Sequence, residues 1–155
     1  MYEVFLSLHN ILRWVVLIVA VLALIRMYFG GWMGRKAYSK ADDRVSLLFT
    51  IMLDLQLLVG IILYVFLSPT TMALLNGTGS MSAPLTRYFG AEHAAMMLLA
   101  VIVAHVGRAQ SKKAADARGK FRRAAIWYTV ALVLLLAGIP WPFLPTARPW
   151  LRLPF

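Results

Sequence analysis

Four apolar runs divide this chain: Val4 to Met27, Val45 to Leu67, Ala91 to Val106, with room to begin earlier near Leu85, and Ala124 to Ile139. Each approaches or exceeds the run of about 20 residues that an α-helix needs to cross a bilayer, which leaves the chain few other ways to fold. A soluble domain of 155 residues does not carry 61% hydrophobic residues and a mean hydropathy of +0.75. The sequence is therefore read as all-α, an integral membrane four-helix bundle forming one domain over residues 1–155. Ser68-Pro69 and the Pro140 and Pro142 pair stop the second and fourth runs, because proline cannot continue a helix ladder and disfavours helix in the residue before it. The first run has neither a basic leader nor a small-residue cleavage site, so it is expected to be a retained helix.

A net charge of +10 in a soluble protein would point to nucleic acid, but the placement of the charge gives it a topological meaning. Of the sixteen basic residues, five lie from Arg26 to Arg44 and seven from Arg108 to Arg123, whereas the connection between the second and third runs holds only Arg87. Basic loops resist translocation, so both basic connections are assigned to the cytoplasm and both termini to the outside. Lys36, Lys40, Lys112 and Lys113 then face inward, and Tyr2, Ser80 and Phe155 outward. Short loops make successive helices antiparallel. Tyr28, Trp32, Trp127 and Tyr128 would form an inner aromatic belt, and Tyr88, Phe89, Trp141 and Trp150 an outer one.

The connection from Ser68 to Gly90 pairs apolar Met72-Ala73-Leu74-Leu75 with flexible Asn76-Gly77-Thr78-Gly79-Ser80. It reads as a surface loop with one interfacial turn, or as a lid over an outer site. There are no cysteines, which excludes disulfides, thiolate-held metals and thioether-attached haem within the chain. No phosphate-binding glycine loop is present. No serine sits in a nucleophile motif, and carboxylates are too few for a hydrolase or transferase constellation.

Chemistry has to come from the few ionisable residues at membrane depth: His9, Arg13, Asp54, Glu92, His93 and His105. At about 1.5 Å per residue, His9 lies about 6 Å and His93 about 3 Å inside the outer ends of their runs. Haem b held between two helices needs one imidazole on each face of the iron at a common depth, and helices one and three of an antiparallel bundle stand diagonally across its core. Arg13, one turn below His9, would hydrogen-bond a propionate. Met97, one turn below His93, and Ala94, Ala100 and Ala104 would pack on the ring. Other readings stay open. The histidines can bond water, carbonyls or head groups and hold nothing; Met97 can replace one of them as ligand; Arg13 can snorkel or pair with Glu92. Asp54 and His105 share a deeper level, about 20 and 21 Å in. The first reading there is a buried polar pair, and the second is a station on a proton path or quinone pocket, extended by Gln56 and Thr50.

Leu8-His9-x-x-x-Arg13-Trp14, Asp54-Leu55-Gln56-Leu57-Leu58-x-Gly60 with Leu63-Tyr64 and Ser68-Pro69, Glu92-His93-x-x-Met96-Met97, and Gly138-Ile139-Pro140-Trp141-Pro142 span nearly the whole chain. In order and spacing they resemble small four-helix bacterial membrane proteins known as cytochrome B. The resemblance implies a multi-pass protein of the bacterial inner membrane. The family tends to carry a histidine where this chain has Asp54, which puts a haem ligand at that position in doubt here. Two functions follow from the residues and the resemblance together. One is a small cytochrome b-like protein that binds haem b and passes electrons between a quinol and a larger redox complex. The other is a cofactor-free accessory or assembly subunit of a membrane complex. In addition to the lipid bilayer, the expected partners are a quinone and a larger membrane complex or a second copy of the chain, with no nucleic acid.

Overall fold

The computed structural model describes residues 1–153, so the outward assignment of Phe155 falls outside the described residues. Every regular element is helical. Helix α1 (Tyr2–Ile25) runs on through a π-helical stretch, Arg26–Trp32. Helix α2 (Lys40–Ile62) continues as a π stretch, Leu63–Leu67. Two short helices follow, α3 (Pro69–Leu75) and α4 (Pro84–Arg87). A third π stretch, Tyr88–Glu92, joins α4 to α5 (His93–Lys112), and α6 (Ala117–Gly138) completes the set. The four long rods, Tyr2–Trp32, Lys40–Leu67, Pro84–Lys112 and Ala117–Gly138, are each long and apolar enough to cross a membrane.

All four rods extend beyond the apolar runs, most at their basic ends, where hydropathy fades but local capping carries the helix on. Ser39 caps α2 by accepting from the Asp42 N–H while the Asp42 carboxylate accepts from the Ser39 N–H, a reciprocal capping box. Asp116 caps α6 by accepting from the Gly119 N–H. Buried Asp42 also receives Arg26 at 2.7 Å, and Arg108 reaches Asp43 at 3.1 Å, so α1, α2 and α5 are pinned together at that end. At the other end, proline at the first turn starts both α3 and α4. The loop expected to hold one interfacial turn thus holds two short helices.

Helix α1 packs on α2, α2 on α5, α5 on α6 and α6 on α1, which puts α1 and α5 on a diagonal. The core between them narrows toward the basic end. There α5 presents Ala100, Ala104, Gly107 and Ser111 to Ala124, Ala125, Tyr128 and Ala131 of α6, small residues that let the backbones approach closely. Two aromatic expectations are corrected. Tyr128 is fully buried, hydrogen-bonded to Ser46 and edge-on to Phe49 at 5.0 Å, and so belongs to the core and not to an interfacial belt. Tyr88 is buried as well. Ala100 and Ala104 are fully buried in this helix packing and do not face the open space described next.

Candidate functional site

Toward the end that carries α3 and α4 the helices diverge around a cavity of about 350 Å³, lined mostly by apolar side chains, with His9, His93, Arg13, Gln56 and Arg148 in its wall. The imidazoles of His9 and His93 meet there edge to face, their centroids 6.3 Å apart and their planes at 71°. The rings lie deeper than the apolar runs indicate. Because the rods begin at Tyr2 and Pro84, His9 is about 10 Å and His93 about 13 Å inside them.

The orientation of His93 follows from prolines four residues beyond two carbonyls. Pro142 has no N–H to give Gly138, and Pro140 none to give Leu136, so both oxygens at the end of α6 lack helical donors. Trp141 Nε1–H donates to Leu136 at 2.9 Å. His93 Nδ1–H donates to Gly138 at 2.7 Å, and the Tyr88 hydroxyl donates to the same oxygen at 2.9 Å. With its proton committed at Nδ1, the neutral ring keeps a lone pair at Nε2. A backbone carbonyl holding the far nitrogen is the usual support of a metal-bound histidine.

On the opposite wall, the Gln56 amide donates to the His9 carbonyl at 3.0 Å and lies 3.2 Å from His9 Nε2. His9 Nδ1 is buried with no partner, as is Gln56 Oε1. The ring rests on Gly60, where a Cβ would stand 3.3 Å from the imidazole Cε1, so glycine opens the space His9 occupies.

Arg13 is buried against the tail that follows α6. Its Nη2 donates to the carbonyls of Trp150 at 2.7 Å and Pro149 at 3.4 Å. Asn10 and Trp14 bind the same backbone, Asn10 Nδ2 to Pro149 at 3.2 Å and Trp14 Nε1 to Trp150 at 2.7 Å. The tail after α6 is thereby strapped over α1, and it carries Arg148 into the cavity wall, its guanidinium 4.8 Å from the Phe89 ring. Glu92 pairs with Arg87 at 2.8 Å, which removes the Arg13–Glu92 alternative. After these bonds Arg13 Nε and Arg148 Nε remain buried donors with no acceptor. Met97 and Ala94 line the cavity, with Met97 also against Gly138.

Asp54 and His105 meet, with Nε2 to Oδ1 at 2.8 Å, but the expectation that they are buried is corrected: their side chains are 51% and 45% exposed. The link spans the outward edge of α2 and α5 instead of the core. Gln56 turns inward to His9, and the Thr50 hydroxyl donates back to the Leu47 carbonyl, so neither extends a path from the pair. Replacing Asp54 or His105 alone by leucine is expected to strand a polar partner in hydrocarbon. Replacing both should cost less than the sum by about 0.5–2 kcal/mol in reversible unfolding measurements. Strictly additive losses would show that the two do not interact in the folded protein.

Among the described residues no three His, Asp or Glu side chains converge as a metal site. The constellation is thus two imidazoles facing one apolar cavity, each with a nitrogen left over, plus two guanidinium donors lacking an anion. No protein-family model, curated protein or solved structure matches the chain.

Proposed function

We propose that the protein is a small membrane b-type cytochrome in which His9 and His93 hold one haem b, related to the cytochrome B proteins its motifs resemble. The observation that carries this reading is the spacing of the two rings. The two imidazoles, from helices on a diagonal, line one apolar cavity with their centroids 6.3 Å apart, near enough that one metal-bearing group could be held between them. His93 would bind through Nε2, its Nδ1 proton held by Gly138. Binding by His9 through Nδ1 requires the Gln56 amide to turn so that Oε1 accepts the Nε2 proton. Arg13 Nε and Arg148 Nε would hold the propionates, the acceptors they lack. Met97 and Ala94, which line the cavity, would pack against a flat group. Haem supplies one-electron chemistry when bound; the protein contributes a low-dielectric wall, two fixed nitrogens and cations near the propionates. The electron would pass on to a larger redox complex.

The test is a visible spectrum of dithionite-reduced protein purified from haem-replete cells, where a sharp α band is the expected result. A second reading, a cofactor-free accessory subunit, is favoured by one feature: Gln56 already donates to His9 and ties α1 to α2 without any ligand. A featureless spectrum would leave that reading standing.

In the bilayer we place the Lys36–Lys40 and Lys112–Lys113 ends in the cytoplasm and the cavity end outside, with the bundle in the bacterial inner membrane, on the strength of the charge asymmetry. The absence of native cysteine makes labelling clean. A cysteine at Ser80 should react with an impermeant maleimide in intact spheroplasts, and one at Lys113 only after lysis. The reverse pattern would invert the assignment.

A further inference from the structure

Between Glu3 and Arg26 the exposed side chains of α1 are all aliphatic, and so are those of α6 beyond Arg123. The face shared by α2 and α5 differs. Asp54 and His105 stand on it, half-exposed and joined at 2.8 Å. Asp54 lies midway along the Lys40–Leu67 rod, so the open side of the pair meets hydrocarbon and not water. The pair is also only half satisfied. Asp54 Oδ1 accepts from His105 Nε2, and no other hydrogen bond reaches either side chain among the described residues, which leaves Asp54 Oδ2 and His105 Nδ1 open. Lipid tails offer nothing to either atom, and unpaired polar groups at this depth are costly. Whatever covers this face has to bring a donor and an acceptor side by side at one depth.

A second copy of the chain brings both. Copies inserted in one orientation are related by a two-fold axis along the membrane normal, which keeps every residue at its own depth and exchanges left for right. Because α2 and α5 are adjacent and Asp54 is level with His105, two copies apposed through this face set α2 of each against α5 of the other. We propose that the chain forms a two-fold dimer through the α2–α5 face, in which Asp54 Oδ2 of each copy accepts from Nδ1–H of the partner's His105. With both nitrogens protonated, each ring donates to two carboxylates and each carboxylate accepts from two rings. The four side chains then close a cycle of alternating charge.

The neighbouring residues suit that contact. Leu58 and Ile102, about one turn to the cavity side of the pair, and Ile51 and Ala109, about one turn to the basic side, are exposed on the same stripes of their helices. Opposed in the dimer, they wall the cycle with apolar groups, and Ala109 lets the backbones approach. Exposed Arg44 and Lys112 meet beyond them, toward the rod ends, where water and salt screen the repulsion. The proposal needs neither haem nor an assignment of inside and outside.

The test uses the full chain in phosphatidylcholine vesicles, labelled in two colours through a cysteine introduced at Ser80, with energy transfer followed as the protein is diluted into lipid. Saturable transfer of dimer stoichiometry is the expected result. Asp54→Leu should raise the protein density at half-association about ten-fold or more, because the dimer loses its hydrogen bonds to a charged acceptor. The exchanged pair, Asp54→His with His105→Asp in one chain, keeps the bridge within each copy. It should associate with itself as the parent does and not with the parent, since like charges then face one another. Oxidative cross-linking checks the contact in chains that keep the native pair. A Leu58→Cys pool mixed with an Ile102→Cys pool should give a covalent dimer, and a Val21→Cys pool mixed with the same partner should not. A parent chain that stays monomeric at high density overturns the proposal and leaves the face to another membrane protein or to lipid. Exchanged chains that pair equally with the parent, association unchanged by Asp54→Leu, or cross-links as frequent from Val21→Cys as from Leu58→Cys overturn it as well.

Discussion

Replacing His9 or His93 by alanine is expected to remove the low-spin spectrum of the haem-loaded protein, either by converting it to high spin or by releasing the haem. His105→Ala should leave the band in place. The contrast follows from geometry: the first two rings face one cavity at 6.3 Å, and His105 points to Asp54 on the outer edge. Each alanine leaves the iron with one protein ligand, and six-coordinate low-spin haem needs two. Gln56→Leu separates the ligand assignment from simple loss of folding. It keeps the side-chain volume but removes the oxygen that would accept the His9 Nε2 proton, so the band should persist with weaker apparent haem affinity. A bis-histidine spectrum that survives loss of either ring, or one that disappears with Gln56→Leu in a folded protein, would sink the assignment of His9 and His93.

How much of this was legible in the sequence depends on which force placed each residue. Hydropathy located the four rods, because a run of about twenty apolar residues has no other stable environment, but it missed five to seven residues at each basic end. Those turns are held by Ser39, Asp42 and Asp116 caps, a local signal present in the sequence and outweighed by the charge around it. Counting residues along helices brought His9 to His93 and Asp54 to His105, since depth is linear in residue number. It left the direction of each side chain open. Asp54 therefore came out on the outer edge, and Tyr128, next to half-buried Trp127, in the core.

The contacts that organise the site were harder to see, because they depend on backbone groups freed by irregular structure. Arg13 binds tail carbonyls about 137 residues away in sequence, which no local pattern encodes. The Gly138 carbonyl that fixes His93 did leave a trace, Pro142 four residues on, and a proline at that spacing marks an oxygen in search of a donor. The same reasoning applies to Leu136 and Pro140, where the donor is Trp141. The motif Gly138-Ile139-Pro140-Trp141-Pro142 thus has a physical role beyond ending a helix: it frees two backbone acceptors for side-chain donors, one of which is the cavity histidine His93.

The stability of the fold should depend steeply on the close packing of α5 against α6, which lies at the opposite end from the cavity. Gly107 of α5 has no room for a side chain: a Cβ there would stand 2.5 Å from Trp127 Cβ and 3.3 Å from Tyr128 Cδ1. Both obstacles sit on α6, and Tyr128 cannot yield without breaking its contacts with Ser46 and Phe49 on α2. Leucine at this position must therefore push α5 and α6 apart along the stripe of Ala100, Ala104, Ala124 and Ala125, none of which has the length to refill the gap. Overpacking of this kind costs about 3 kcal/mol, and lipid offers no hydrophobic gain to offset the lost helix contact, since acyl chains are as apolar as leucine. Gly107→Leu is expected to lower the detergent midpoint of unfolding by a corresponding amount, and Ile102→Leu, on the exposed face of the same helix, to leave it within about 0.5 kcal/mol of the parent. If the two variants unfold alike, the tight α5–α6 crossing does not hold the protein together.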